Sequence, residues 1–140
     1  PHPGDALRFE FEGIRPAHTP DYDADGNVSE SLAAELDGLE TELYAHLQAY
    51  GRSIGRPIVY DEHTYPYFFN DLNNNGIADP AEANFSNNYQ FDAAALRAAY
   101  NYQFSKKEPC GYIHNALYLA QLMVDSIGHL GGEVKKYTWR

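Results

Sequence analysis

The pattern of apolar positions is helical in the middle of the chain. Leu32, Leu36, Leu39, Leu43, Leu47 and Tyr50 fall three or four residues apart, so they form one stripe on a helix spanning residues 29–52. Glu35, Asp37, Glu42, His46 and Gln48 fall mainly outside that stripe. Gly38 weakens this helix without breaking its pattern, and Gly51 and Gly55 are its stop signals. A second helix is expected over 93–104. Asp92 serves as its N-cap, Phe91 as a staple onto Leu96, and Lys106-Lys107 complement its dipole, before Pro109 blocks continuation. A third runs over 116–130 from Asn115 to Gly131-Gly132, with Leu119, Met123, Ile127 and Leu130 as its core stripe.

The period changes to two near the start. Leu7, Phe9 and Phe11 alternate with Arg8, Glu10 and Glu12, which predicts a strand over 6–14 with one apolar face. Pro16 and Pro20 follow as an extended connector. The stretch PIVYDEHTYPYFF (57–69) reads as extended, and the tail with Val134, Tyr137 and Trp139 reads as a second terminal strand. The fold expected is mainly α (α+β): a three-helix core with two calcium-binding loops and short terminal β-strands. It forms one domain over 1–140, divided into an N-terminal strand and arm (1–20), a helical core (21–132) and a tail (133–140).

Composition narrows the partners. The formal net charge of −10 over 140 residues disfavours nucleic acid and an anionic membrane surface, and no apolar run is long enough to span a bilayer. A single cysteine, Cys110, excludes an internal disulfide, a CxxC zinc site and a CxxCH haem attachment.

The acids gather in two places. In DLNNNGIADPAE, Asp71, Asn73 and Asn75 hold positions 1, 3 and 5, Gly76 position 6, Ile77 position 7, Asp79 position 9 and Glu82 position 12. This is the spacing of an EF-hand-type calcium loop. The ion needs six to eight hard oxygens at one point. Alternate side chains converge, the glycine permits a sharp turn, Ile77 offers its carbonyl, and Glu82 closes with both oxygens. In DYDADGNVSE, Asp21, Asp23, Asp25 and Gly26 repeat positions 1, 3, 5 and 6, and Asn27 would give its carbonyl. Position 12 is Leu32, so the closing acid must come from elsewhere. Glu35, one turn into the long helix, is preferred. Glu30 remains open, because it could instead form a capping box with Asn27. Two Ca2+ ions would change the net charge from −10 to −6. A switch needs helices on both sides of a loop, and the first loop follows prolines, so both sites are expected to act as staples.

No catalytic constellation is present, and the chain is read as non-enzymatic. The histidines form no HExxH pair. His63 and His114 are those nearest aromatics, with structural hydrogen bonding as the plainer reading. Asn27 and Asn84 begin glycosylation sequons, Asn84 being expected as the more exposed.

From PIVYDEHTYPYFFND through the second loop to LRAAYNYQFSKKEPCGYIHNALYLAQLMVDSI, together with DYDADGN, the sequence resembles a domain of bacterial polyhaem c-type cytochromes, found at their C-terminal end. The resemblance covers roughly residues 21–131. It implies a secreted or surface location, calcium in both loops, and a neighbouring haem near His63 or His114, while the lack of CxxCH means that this chain attaches none itself. Two functions are therefore expected. One is an extracellular structural protein that polymerises with itself into a filament by exchange of terminal strands. The alternative is an accessory domain of a multihaem cytochrome or similar electron-transfer complex.

Overall fold

The computed structural model describes residues 12–108 and 110–140. The expected strand over 6–14 therefore lies largely outside the described residues, and its last positions, 12–14, are not in strand form.

Helix α1 spans Leu32–Ser53, capped by Ser31, whose side chain accepts from the Ala34 amide. Its stripe is the spine of the core: Leu39, Leu43 and Leu47 have no exposed surface. Helix α2 spans Ala93–Lys107 and packs an alanine-rich face (Ala95, Ala98, Ala99), with Tyr102, against α1. Small side chains let the two backbones approach closely. The N-cap at Asp92 forms as expected, accepting from the Ala95 amide. The staple does not, since Leu96 is exposed and Phe91 packs on Phe68 and Tyr89 instead. After a short helix α3 (Gly111–His114), helix α4 spans Ala116–His129 and completes the bundle with Leu119, Met123, Val124 and Ile127. Asn115 stands at the start of α4 but its side chain makes no capping bond.

The extended segment resolves into an antiparallel hairpin, β1 (Ile58–Tyr60) and β2 (Phe68–Asn70), with Val59 opposite Phe69. It is fastened to the bundle by aromatic rings. Tyr60 meets Phe68 at 4.9 Å and Tyr102 at 5.1 Å, Tyr44 stacks on Tyr102 at 5.3 Å, and Tyr44 Oη accepts from the Tyr60 amide. Many of the tyrosines thus build an internal joint rather than an outer contact surface.

The tail corrects a second expectation. Residues 133–140 form turns, not a strand. Tyr137 is buried, Lys136 pairs with Glu42 of α1 at 2.9 Å, and Trp139 Nε1 donates to the Tyr22 carbonyl at 2.9 Å. The alternation in the tail's sequence reflects which side chains insert into the domain. Among the described residues no strand lies beside it to supply a hydrogen-bonding edge.

Candidate metal centre

Both acidic segments fold into the same loop. In the first, the Gly26 amide donates to Asp21 Oδ2 (2.9 Å), the Asp25 amide to Asp23 Oδ1 (3.2 Å) and the Asn27 amide to Asp25 Oδ1 (2.7 Å). In the second, the Gly76 amide donates to Asp71 Oδ2 (2.8 Å), the Asn75 amide to Asn73 Oδ1 (3.0 Å) and the Ile77 amide to Asn75 Oδ1 (2.9 Å). Position for position these are the same three bonds. The backbone agrees as well: Ala24 and Asn74, both at position 4, and Gly26 and Gly76, both at position 6, all have positive φ. Positive φ costs an alanine strain that Asn and Gly avoid.

The closing acids correspond too. Glu82 Oε1 accepts from the Leu72 amide at 2.8 Å and the Asn73 amide at 3.3 Å, positions 2 and 3 of its loop. Glu35 Oε2 accepts from the Tyr22 amide at 2.6 Å and the Asp23 amide at 3.4 Å, again positions 2 and 3. Both acids are buried, Glu35 completely. Glu35 therefore occupies the place of Glu82, although it stands three residues farther along its loop. Glu30 is also drawn in. Asp21, Asp23 and Glu35 bring carboxylate oxygens within 4.8 Å of one another, and so do Asp23, Asp25 and Glu30. Asn27 Nδ2 lies 3.4 Å from Glu30 Oε2, while the helix cap itself is Ser31.

Helix α1 carries both loops. Gly38 stands where the first loop crosses the helix: a Cβ there would sit 1.8 Å from Asp23 Oδ2, so the Asp23 side chain would have to move away. The sequence marked Gly38 only as a weak point in a helix, and the reason for it is this close approach. At the far end of α1, Gln48 Nε2 donates to the Gly76 carbonyl at 3.0 Å and to the Ile58 carbonyl at 3.4 Å. The hairpin sets Asp71 directly after β2, with the Asp71 amide bonded to the Pro57 carbonyl at 3.0 Å. Asn87 then locks the loop's exit by donating to the Glu82 and Asn70 carbonyls, both at 2.9 Å. Gln48 and Asn87 were not foreseen, since neither belongs to a ligand spacing.

The electrostatics of the loops differ. The first gathers five carboxylates. Burial pushes the Asp23 carboxyl up to about 6, with repulsion from Asp25, Glu30 and Glu35 adding to the rise, and burial likewise raises Glu30. Asp21 Oδ1 and Glu30 Oε1 are buried with no hydrogen-bond partner. The second loop has three carboxylates and hydrogen-bonds one of them internally: Asn73 Nδ2 and Asn75 Nδ2 both donate to Asp79 Oδ2, at 2.7 and 3.0 Å. The donor sets are all oxygen, carboxylates joined by neutral carboxamide and backbone carbonyl groups, which fits a hard divalent cation, and the orphaned oxygens of the first loop are atoms such an ion would satisfy.

The remaining candidates stay apart from the loops. The His63 side chain is 84% exposed beside Glu62, and His114 is exposed at the end of α3. Of the two sequons, Asn27 is the exposed one, while Asn84 is half-buried and its Nδ2 donates to the Ala81 carbonyl. Among the described residues no helix is long and apolar enough to cross a membrane.

A haem-free helical domain bearing two acidic loops is the class that this geometry defines. Its relatives carry haem. The chain is 35% identical over 107 residues to the C-type polyheme cytochrome OmcC of Geobacter sulfurreducens, a match covering 70% of this chain and 13% of that protein. It is 34% identical over 107 residues to the C-type polyheme cytochrome OmcB from two strains of the same organism, covering 14% of that protein. The resemblance to polyhaem c-type cytochromes is therefore one of homology, and the chain spans about one-seventh the length of the curated relatives it matches. No family model matches the chain. No solved structure matches it.

Proposed function

We propose that this chain is a calcium-stabilised, haem-free and non-catalytic module that serves an extracellular multihaem electron-transfer complex as an accessory domain. The observation that carries the reading is the duplicated loop, with the same three hydrogen bonds and the same closing-acid contacts in two separate stretches of sequence. Homology to polyheme cytochromes supports the setting. Asp21, Asp23, Asp25, the Asn27 carbonyl and Glu35 would hold one ion. Asp71, Asn73, Asn75, the Ile77 carbonyl, Asp79 and Glu82 would hold the other. Calcium would supply positive charge that cancels carboxylate repulsion and joins each loop to α1.

Thermal melting with calcium and with EDTA, alongside elemental analysis, tests the calcium part. An excess of about a hundred dissociation constants stabilises by about 2.7 kcal/mol per site. Two sites should therefore raise the melting midpoint by more than about 10 °C. An unchanged midpoint together with no bound calcium refutes it. Association with a purified polyhaem c-type cytochrome, followed by sedimentation, tests the setting, and two independently sedimenting species would count against it.

Self-assembly into a filament through terminal strands has weaker support. The C-terminal tail is seated in its own domain by Tyr137 and Trp139, and the expected N-terminal strand lies largely outside the described residues. Electron microscopy of the purified chain decides this reading: filaments would support it, and dispersed monomers in calcium would sink it.

A further inference from the structure

The closing acids of the two loops share their backbone contacts but not their other neighbours. Glu82 accepts from the Leu72, Asn73 and Asp79 amides. Glu35 accepts from its two loop amides and also from a cation, with Arg15 Nη1 lying 2.5 Å from its Oε1. That guanidinium is firmly held. Its Nη1 also donates to the Glu30 carbonyl at 2.7 Å, and its Nη2 to the Thr19 and Pro20 carbonyls at 3.0 and 3.2 Å. The Leu32 amide donates to the Ile14 carbonyl at 3.0 Å, which fixes the backbone beside it. The Arg15 side chain is 16% exposed and that of Glu35 0%.

Arginine keeps its charge at every pH a protein survives. A permanent positive charge thus lies against one oxygen of an acid expected to ligate a divalent cation. It is bonded to that oxygen and would repel the ion. It also explains how Glu35 tolerates complete burial next to Asp21 and Asp23.

We propose that Arg15 is a resident cation of the first loop. It neutralises Glu35 when the loop is empty, competes with calcium for Glu35 Oε1, and sets the loop's affinity below what five carboxylates would otherwise give. The inference rests on reading the loop as a calcium site. It predicts opposite signs for one substitution: removing the charge weakens the empty fold and strengthens calcium binding. A purely structural prop would weaken both.

The test uses the whole chain, with Arg15→Met and Arg15→Gln, titrated with calcium chloride by calorimetry. Trp139, the single tryptophan, reports on the first loop by fluorescence, since its indole donates to the Tyr22 carbonyl. Both variants should bind calcium at the first loop about 10-fold or more tightly, should leave the second loop unchanged, and should melt lower than wild type in EDTA. Glutamine keeps hydrogen-bond donors without charge, so it carries the test if the methionine variant does not fold without calcium. Two bound ions with an unchanged or weakened first loop would overturn the role of Arg15 alone. A wild-type chain that binds no calcium would overturn the calcium reading along with it.

Discussion

The first and second loops share a backbone and differ in how they manage charge. The second is nearly self-sufficient: Asn73 and Asn75 turn their amides onto Asp79, so every acid has a donor. The first has aspartates at those positions, leaves Asp21 Oδ1 and Glu30 Oε1 without partners, and borrows Arg15 from a neighbouring segment. One spacing can therefore encode a loop whose own carboxamides pair its acids and another whose acids draw on an arginine from outside it. The deciding residues are carboxamide against carboxylate.

The largest expected contrast lies between the closing acids. Glu35→Ala strands the Arg15 guanidinium in a largely buried site and should cost about 3–5 kcal/mol in EDTA. Glu82→Ala removes hydrogen bonds to amides and should cost about 1–3 kcal/mol. Urea melts of both variants measure the difference, and equal losses would erase the distinction between the loops. Gly38→Ala comes next. Alanine is favoured in a helix by about 1 kcal/mol, yet its Cβ collides with Asp23. The first loop should lose calcium affinity by about 10-fold and the second none, as read by calorimetry. Stabilisation with unaltered binding would show that the loop does not depend on that close approach.

Trp139→Phe should cost about 1–2 kcal/mol, through loss of the indole donor to Tyr22 and of the ring contact at 4.9 Å. Its effect should fall on the first loop's calcium titration and spare the second. The smallest effect is alkaline and belongs to the other end of the domain. Burial pushes the Tyr60 phenol up to about 12, with nearby Glu62 and Tyr67 adding to it, and burial raises Tyr102 further. A folded-state value above the unfolded one near 10 contributes stability below pH about 10 that is lost as pH rises through about 12. Phenolate absorbance should therefore show a late class of tyrosines appearing together with unfolding of the hairpin. Full titration well below that range, in the folded state, would contradict the packing of this cluster.

Helices α1 and α4 were legible because an apolar stripe of helical period buries one face, and α2 because Asp92 and Lys106-Lys107 mark its ends. The second loop's shape was legible because the side chains that bond its turn are local and its glycine has positive φ. Local spacing failed where the partner was distant. It preferred Glu35 to Glu30 as the first loop's closing acid only narrowly, took the tail for a strand, and saw Gly38 as a flaw. The amide contacts to Glu35, the docking of Trp139 and the crossing of Asp23 over α1 all join residues far apart in sequence.

What the sequence determined by itself is the set of oxygen donors, the turns that present them, and the helical stripe on which they rest, since each follows from residue type and short-range geometry. Tertiary structure decided which acid packs onto the first loop's amides, that an arginine shares it, and where the C-terminal end is tied. Those outcomes depend on which charges end up buried together, and that is fixed only when α1, residues 14–31 and the tail pack into one low-dielectric site.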